Sequence, residues 1–155
     1  MRFEILFLGK TKEAYLAAGI ADYSKRLAHY IPTEIKILKE KKIKKGDSEK
    51  VLIEKDSDIL LQNAKGSHIV CLDRTGRQIN SLELAALVGR WEMQSHKKIT
   101  FIIGGPLGLS PGILAKADLV LSFSAMTFTH EMTRLLLLEQ LYRAFTIKAG
   151  EKYHK

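Results

Sequence analysis

Apolar positions along this chain follow a period of two in some stretches and a helical period in others, and the alternation outlines a fold. Arg2 to Leu8 alternates, is rich in Ile, Phe and Leu, and is ended by Gly9, which predicts a strand; a helical pattern follows from about Lys12 to Leu27. Pro32 marks a break. Glu34 to Leu38 places Ile35 and Ile37 on one face of a second strand, and a lysine-heavy loop leads to Asp47 and Ser48 as candidate caps. Val51, Leu52, Ile59 and Leu60 share one side of the helix that follows, and Gly66 stops it. His68 to Leu72 is an apolar run suited to a buried strand, after which Asp73-Arg74-Thr75-Gly76 predicts a turn with glycine at positive φ.

Asn80 with Glu83 has the spacing of a capping box, opening a helix that runs through Trp91. Ile99 to Ile103 is a continuous apolar strand that ends in Gly104-Gly105-Pro106-Leu107-Gly108. Ser110 as cap and Pro111 at the first helical position then start a short helix. Leu119 to Phe123 is the last strand and His130 to Ile147 the last helix. Strands alternating with helices imply a mostly parallel α/β sheet covered by helices on both faces, in one domain over residues 1–155.

Composition narrows the class. A length of 155 residues, 46% hydrophobic and 27% charged, suits one folded domain and excludes a disordered or fibrous chain. Cys71 is the single cysteine, so neither an internal disulfide nor a cysteine-based zinc site can form, and a reducing compartment is expected. MRFEILFLGK lacks the form of a signal peptide, and no stretch approaches the roughly 18 apolar residues of a membrane span, so the expectation is a cytoplasmic protein without a membrane role. A net charge of +8 gives a positive surface field that favours polyanions such as nucleic acid. Lysines from Lys36 to Lys50 carry much of it, as a solvated loop or as a phosphate contact.

Several motifs for chemistry are incomplete. The Gly104 to Gly108 loop sits where open α/β sheets bind ligands, yet it is neither G-x-G-x-x-G nor a phosphate-cradling P-loop. His130-Glu131-Met132-Thr133-Arg134 begins like the zinc helix H-E-x-x-H but has Arg134 in place of the second imidazole, so no metal is expected. No G-x-S-x-G elbow accompanies the histidines. The last helix is apolar nearly all round, with Met132, Leu135 to Leu138, Leu141 and Phe145, which requires burial on both sides, as a core helix or one shared with a partner subunit.

Taken together, the run Phe101 to Leu109, the run Leu121 to Phe128, then His130, Leu138 to Ala144 and the tail Tyr153-His154-Lys155 closely resemble the RlmH family, SPOUT-class methyltransferases acting on large-subunit ribosomal RNA. The resemblance spans the whole chain. It implies a carboxy-terminal trefoil knot that forms an S-adenosylmethionine pocket, which periodicity could not have disclosed. Leu72, Gly104, Gly105, Gly108 and Phe123, Ser124, Ala125, Met126, Thr127 and Phe128 would line that pocket. The implied reaction methylates N3 of a pseudouridine in 23S ribosomal RNA on the assembled ribosome, carried out by a homodimer. His130, Arg134, Glu139, Tyr142, Arg143, Tyr153 and His154 are the catalytic candidates, with His130 or His154 assisting deprotonation. The family commonly has proline before the histidine, where this chain has Thr129, which leaves the stiffness of that loop open. Two other readings stand beside this one. A catalytically silent RNA- or ribosome-binding protein of the same fold would bind RNA without the cofactor, and an unrelated nucleotide-binding enzyme would need a phosphate motif that is not present.

Overall fold

The first strand, β1 (Arg2–Leu8), is buried at every position but its first, as a strand in the middle of a doubly covered sheet must be. In the computed structural model, which describes residues 1–40, 46 and 48–154, it is followed by α1 (Ala14–Ala28), β2 (Thr33–Leu38), α2 (Glu49–Asn63), β3 (His68–Gln78) and α3 (Ser81–Met93). The chain continues through β4 (Lys98–Ile103), α4 (Pro111–Lys116), β5 (Leu119–Ser122) and α5 (His130–Lys148). The five strands lie in the order β2-β1-β4-β3-β5 and all pair in parallel.

Because side chains alternate across a strand, the sheet sends its apolar residues into two cores. Phe3, Ile5 and Phe7 of β1, with Phe101 and Ile103 of β4, pack with α1, α3 and α5; Leu6, Leu8, Cys71 and Ile102 pack under α2 and α4. Each fully buried Leu, Ile or Phe contributes about 1.5–3 kcal/mol. The Cys71 thiol, wholly inside, has its pKa pushed up to about 12 by burial, which makes it inert packing rather than a nucleophile.

Local signals set the helix starts. Ser48 accepts from Val51 N at 3.4 Å, Asn80 and Glu83 complete the expected capping box, and Ser110 caps α4 with Pro111 in its first turn. Asp47, the other candidate cap, and Lys41, Lys42, Lys44 and Lys45 of the lysine run lie outside the described residues. α5 lies against both α1 and α3, so both its flanks are covered within one chain. Contact with α1 is close: a Cβ at Gly19 would stand 2.9 Å from Leu135 Cδ1. Among the described residues no helix is long and apolar enough to cross a membrane.

One expectation is corrected. Asp73 to Gly76 does not end the third strand, since β3 continues to Gln78, with Leu72 and Arg77 both in register with Leu121. The intervening residues bulge, and Asp73 Oδ1 accepts from Thr75 N and Thr75 Oγ1 inside that bulge. Gly76 is also not at positive φ. A side chain is excluded there by proximity, because its Cβ would lie 2.7 Å from backbone atoms of Val120 and Leu121.

Candidate functional site

The carboxyl ends of β3, β4 and β5 open into a cleft of about 690 Å³, the position where open α/β sheets hold ligands. One wall is the loop after β4. A Cβ at Gly104 would fall 2.7 Å from the carbonyl carbon and oxygen of Gly108, so only glycine allows the loop to fold back on itself. Gly108 has φ +83°, and its N–H donates to Gly105 O at 3.0 Å to close the turn. The three glycines leave bare backbone on this wall beside the side chains of Pro106 and Leu107.

The opposite wall is the segment between β5 and α5. Ser122 Oγ donates to Ser124 O at 2.8 Å, and Met126 N–H donates to Ser124 Oγ at 3.0 Å. Met126 is 74% exposed and Phe128 41%, so the rim of the cleft carries large apolar side chains in water. Of the residues expected at a cofactor, Leu72, Gly104, Gly105, Gly108, Phe123, Ser124, Met126, Thr127 and Phe128 line the cleft; Ala125 does not.

The segment ends at Thr129, whose Oγ1 accepts from Met132 N at 3.2 Å and caps α5. Threonine thus does by capping what the family's proline would do by restricting φ, and its own φ of -63° is one proline could adopt.

The catalytic candidates separate along α5. His130, its first residue, lines the cleft, and its imidazole makes no hydrogen bond among the described residues. Burial, and then the charge of Arg134, hold its pKa below the ordinary imidazole value, so it is neutral at pH 7. Arg134 is outside the lining and 1% exposed. It donates to Leu8 O at 2.7 Å and Thr11 Oγ1 at 2.9 Å, and stacks 4.0 Å above the Phe7 ring. Glu131, to which sequence reasoning gives no role beyond the broken zinc motif, accepts from the N–H groups of Lys12 and Glu13. These two residues fasten the first turn of α5 to the loop after β1.

A second group gathers further along. Glu139 accepts from Arg143, from Gln140 Nε2 at 2.6 Å and from Tyr153 Oη at 3.1 Å, while Tyr153 and Tyr23 share a hydroxyl contact of 3.0 Å. The Tyr142 and Tyr153 rings meet edge to face, and Arg143 lies over the Tyr153 ring. His154 follows, with a buried Nδ1 that has no partner. At about 1.5 Å per residue, Arg143 stands about 20 Å along the helix from His130. Within one chain, therefore, His130 is at the cleft and the Glu139, Tyr142, Arg143, Tyr153 group is not. Sequence reasoning gives no site role to Arg74 and Thr133, which line the cleft without any motif to announce them. Among the described residues no group of three or more His, Cys, Asp or Glu could hold a metal ion.

A family profile described as "Predicted SPOUT methyltransferase" matches residues 1–154. The chain belongs to the SPOUT methyltransferase family. Ribosomal RNA large subunit methyltransferase H of Desulfotalea psychrophila is 52% identical over 156 residues, covering all of both chains. The protein of the same name from Halothermothrix orenii is 46% identical over 160 residues, again covering both in full. These relatives place the chain in the H branch of the large-subunit rRNA enzymes, and this SPOUT protein is a methyltransferase. Among solved structures, a probable methylase family protein from Haemophilus influenzae aligns with a TM-score of 0.59 at 17% identity, covering 99% of this chain and 70% of that one. A probable methyltransferase from Bordetella pertussis aligns at 0.58 and 11%, covering 92% and 95%. At such identities the likeness speaks for the SPOUT fold alone.

Proposed function

We propose that this methyltransferase holds S-adenosylmethionine in the glycine-walled cleft and methylates N3 of a pseudouridine in 23S ribosomal RNA on the assembled ribosome. It does so in the cytoplasm, as a homodimer, with its carboxy-terminal segment threaded as a trefoil knot. The observation that carries the reading is the cleft itself, a backbone cradle at the carboxyl edge of the sheet with an imidazole, neutral at pH 7, at its mouth.

The cleft fits the cofactor. Its volume of about 690 Å³ lies in the range of about 300–1,000 Å³ typical of small-molecule sites. Ile103 and Leu121 give the base of the cofactor an apolar bed, and the glycines at 104, 105 and 108 offer backbone groups that carry no side chain of their own. When bound, the cofactor supplies an already activated sulfonium methyl. What remains for the protein is alignment and removal of one ring proton. His130 would accept the N3 proton on a ring nitrogen, leaving N3 an electron pair for the methyl that the sulfonium gives up with the C–S pair kept on sulfur, a task open only to the neutral form that burial favours. Thr129 and Glu131, through the cap and the bonds to the loop after β1, hold the first turn of α5 so that the imidazole stays at the cleft.

The separation along α5 supports the homodimer. Arg143, about 20 Å along the helix from His130, and Tyr153, over whose ring it lies, are outside the cleft of their own chain and would serve one across a subunit boundary. His154 would then act in the partner's site rather than beside His130. The threaded path draws support from the two walls, residues 104–108 and 123–129, facing each other across one cleft from which α5 departs.

Transfer of labelled methyl from S-adenosylmethionine to assembled ribosomes, separated subunits and stripped rRNA, followed by mapping of the modified base, tests the reading. Transfer to assembled ribosomes at a single pseudouridine is expected. Absence of transfer together with absence of cofactor binding in calorimetry overturns it in favour of a silent RNA-binding protein. A monomeric mass in light scattering at micromolar concentration removes the homodimer.

A further inference from the structure

Beside the glycine cleft lies a second hollow of about 360 Å³, between the start of α3 and the middle of α5. The two cavities share Leu121, Ser122, Phe123 and Phe128 as a common wall. Its polar fittings include Ser81 and Gln140. Ser81 Oγ donates to Gln140 Oε1 at 2.7 Å, and Gln140 Nε2 donates to Glu139 Oε2 at 2.6 Å. A carboxylate only accepts, so these partners fix which end of the carboxamide is nitrogen. Each end keeps capacity in reserve, one N–H on Nε2 and one lone pair on Oε1. Asn80, in the same hollow, already uses its side-chain oxygen to cap α3.

A methyl acceptor must come within about 3–3.5 Å of the methyl carbon, so the target base has to enter through space that adjoins the cofactor cleft. The hollow meets that requirement. Phe128, in both linings and 41% exposed, offers a ring face on which a base extracted from an RNA loop can stack, an interaction of about 1–3 kcal/mol.

We propose that this hollow is the target-base subsite and that Gln140 distinguishes pseudouridine from uridine, an inference that rests on the substrate reading above. Pseudouridine is joined to ribose through carbon, so its N1 carries a proton beside the O2 carbonyl. In uridine N1 is the glycosidic nitrogen and has none. Gln140 Oε1 accepts from N1–H and Nε2 donates to O2, a pairing that leaves N3, on the far side of O2, open to the methyl group. A site built to bond an N–H rejects the analogue lacking it by on the order of 10⁴.

The test compares kcat/KM on assembled ribosomes that carry either pseudouridine or uridine at the target position. Wild type is expected to prefer pseudouridine by on the order of 10⁴, and Gln140→Met to bring the ratio within about tenfold of unity. Its affinity for S-adenosylmethionine in calorimetry should match wild type. Ser81→Ala, which removes one of the two bonds that orient the carboxamide, is expected to lower the ratio by about 2- to 10-fold. A ratio that Gln140→Met leaves unmoved, or a loss of rate equal on both ribosomes, overturns the assignment. If Gln140→Met does not fold, Ser81→Ala decides alone, and an unchanged ratio there is fatal. Wild-type enzyme that methylates neither ribosome overturns the substrate reading itself, an outcome distinct from any behaviour of the variants.

Discussion

The two ends of the sheet treat their polar groups in opposite ways. At the amino ends of the strands Glu4 is 3% exposed and both its oxygens are engaged, by Lys36 at 2.6 Å, Lys98 at 3.3 Å and Thr100 Oγ1 at 3.2 Å. Burial alone would raise its pKa, but the two lysines more than offset this and hold it below the usual carboxyl value. At the carboxyl ends the His130 imidazole has no hydrogen bond among the described residues, a glycine loop leaves backbone uncovered, and Met126 and Phe128 stand in water. Satisfied groups lock a fold, whereas groups left open are available to a ligand. The same five strands therefore carry a structural end and a chemical end.

Four measurements bear on that contrast. The largest effect is expected from His130→Ala, a fall of about 10²–10⁴ in single-turnover methylation with cofactor affinity unchanged. Its pKa lies below the ordinary 6.5, so the wild-type rate should hold as pH falls past that value and decline only further into acid; a rate already halved at pH 6.5 would remove His130 as the base. Gly104→Ala comes next. A Cβ placed 2.7 Å from Gly108 backbone must spread the loop at about 1–3 kcal/mol, read as a weakening of S-adenosylmethionine binding by about 5- to 150-fold with unchanged circular dichroism.

Glu4→Gln should do the reverse, costing about 1–2 kcal/mol in urea denaturation at pH 7 while leaving methyl transfer intact; the figure is held down because the Lys36 side chain is 38% exposed. A carboxyl with a lowered folded pKa contributes fully above its ordinary value of 4.5, and the contribution disappears as pH falls through the folded value. The gap between wild type and variant should therefore close in acid. Thr129→Pro should matter least, within about 0.5 kcal/mol, since loss of the cap is offset by a chain already at the φ proline prefers. A large change in thermal denaturation would show that the segment before α5 needs more from Thr129 than its cap.

Much of the fold could be read from local pattern, because caps and strand ends are short-range signals. Asn80 with Glu83, and Ser110 with Pro111, mark their helices within one residue of the observed starts. The course of β3 past Asp73 could not be read, because a turn-forming Asp73-Thr75 bond and a strand bulge share the same residues, and only pairing with Leu121 separates them. Similar reasons govern the site. The glycine loop and the segment 123–128 are contiguous in sequence, so the resemblance located them. Arg134 and Glu139 sit five residues apart on one helix, yet one closes against Leu8 and the other against Tyr153, and nothing local to α5 distinguishes them. Ser81 is 59 residues from Gln140, and their contact exists only once α3 and α5 have packed.

The bond from Arg134 to Leu8 O spans 126 residues, joining the end of β1 to α5. Phe3 and Phe7 are covered in part by Phe145 and Arg134, which are made long after them. A nascent chain therefore carries an open apolar face until α5 leaves the exit tunnel, and contacts of such long sequence separation form slowly. Shortening the polypeptide by the length of α5 would strip one core of its cover, leaving a product prone to clump rather than a smaller enzyme.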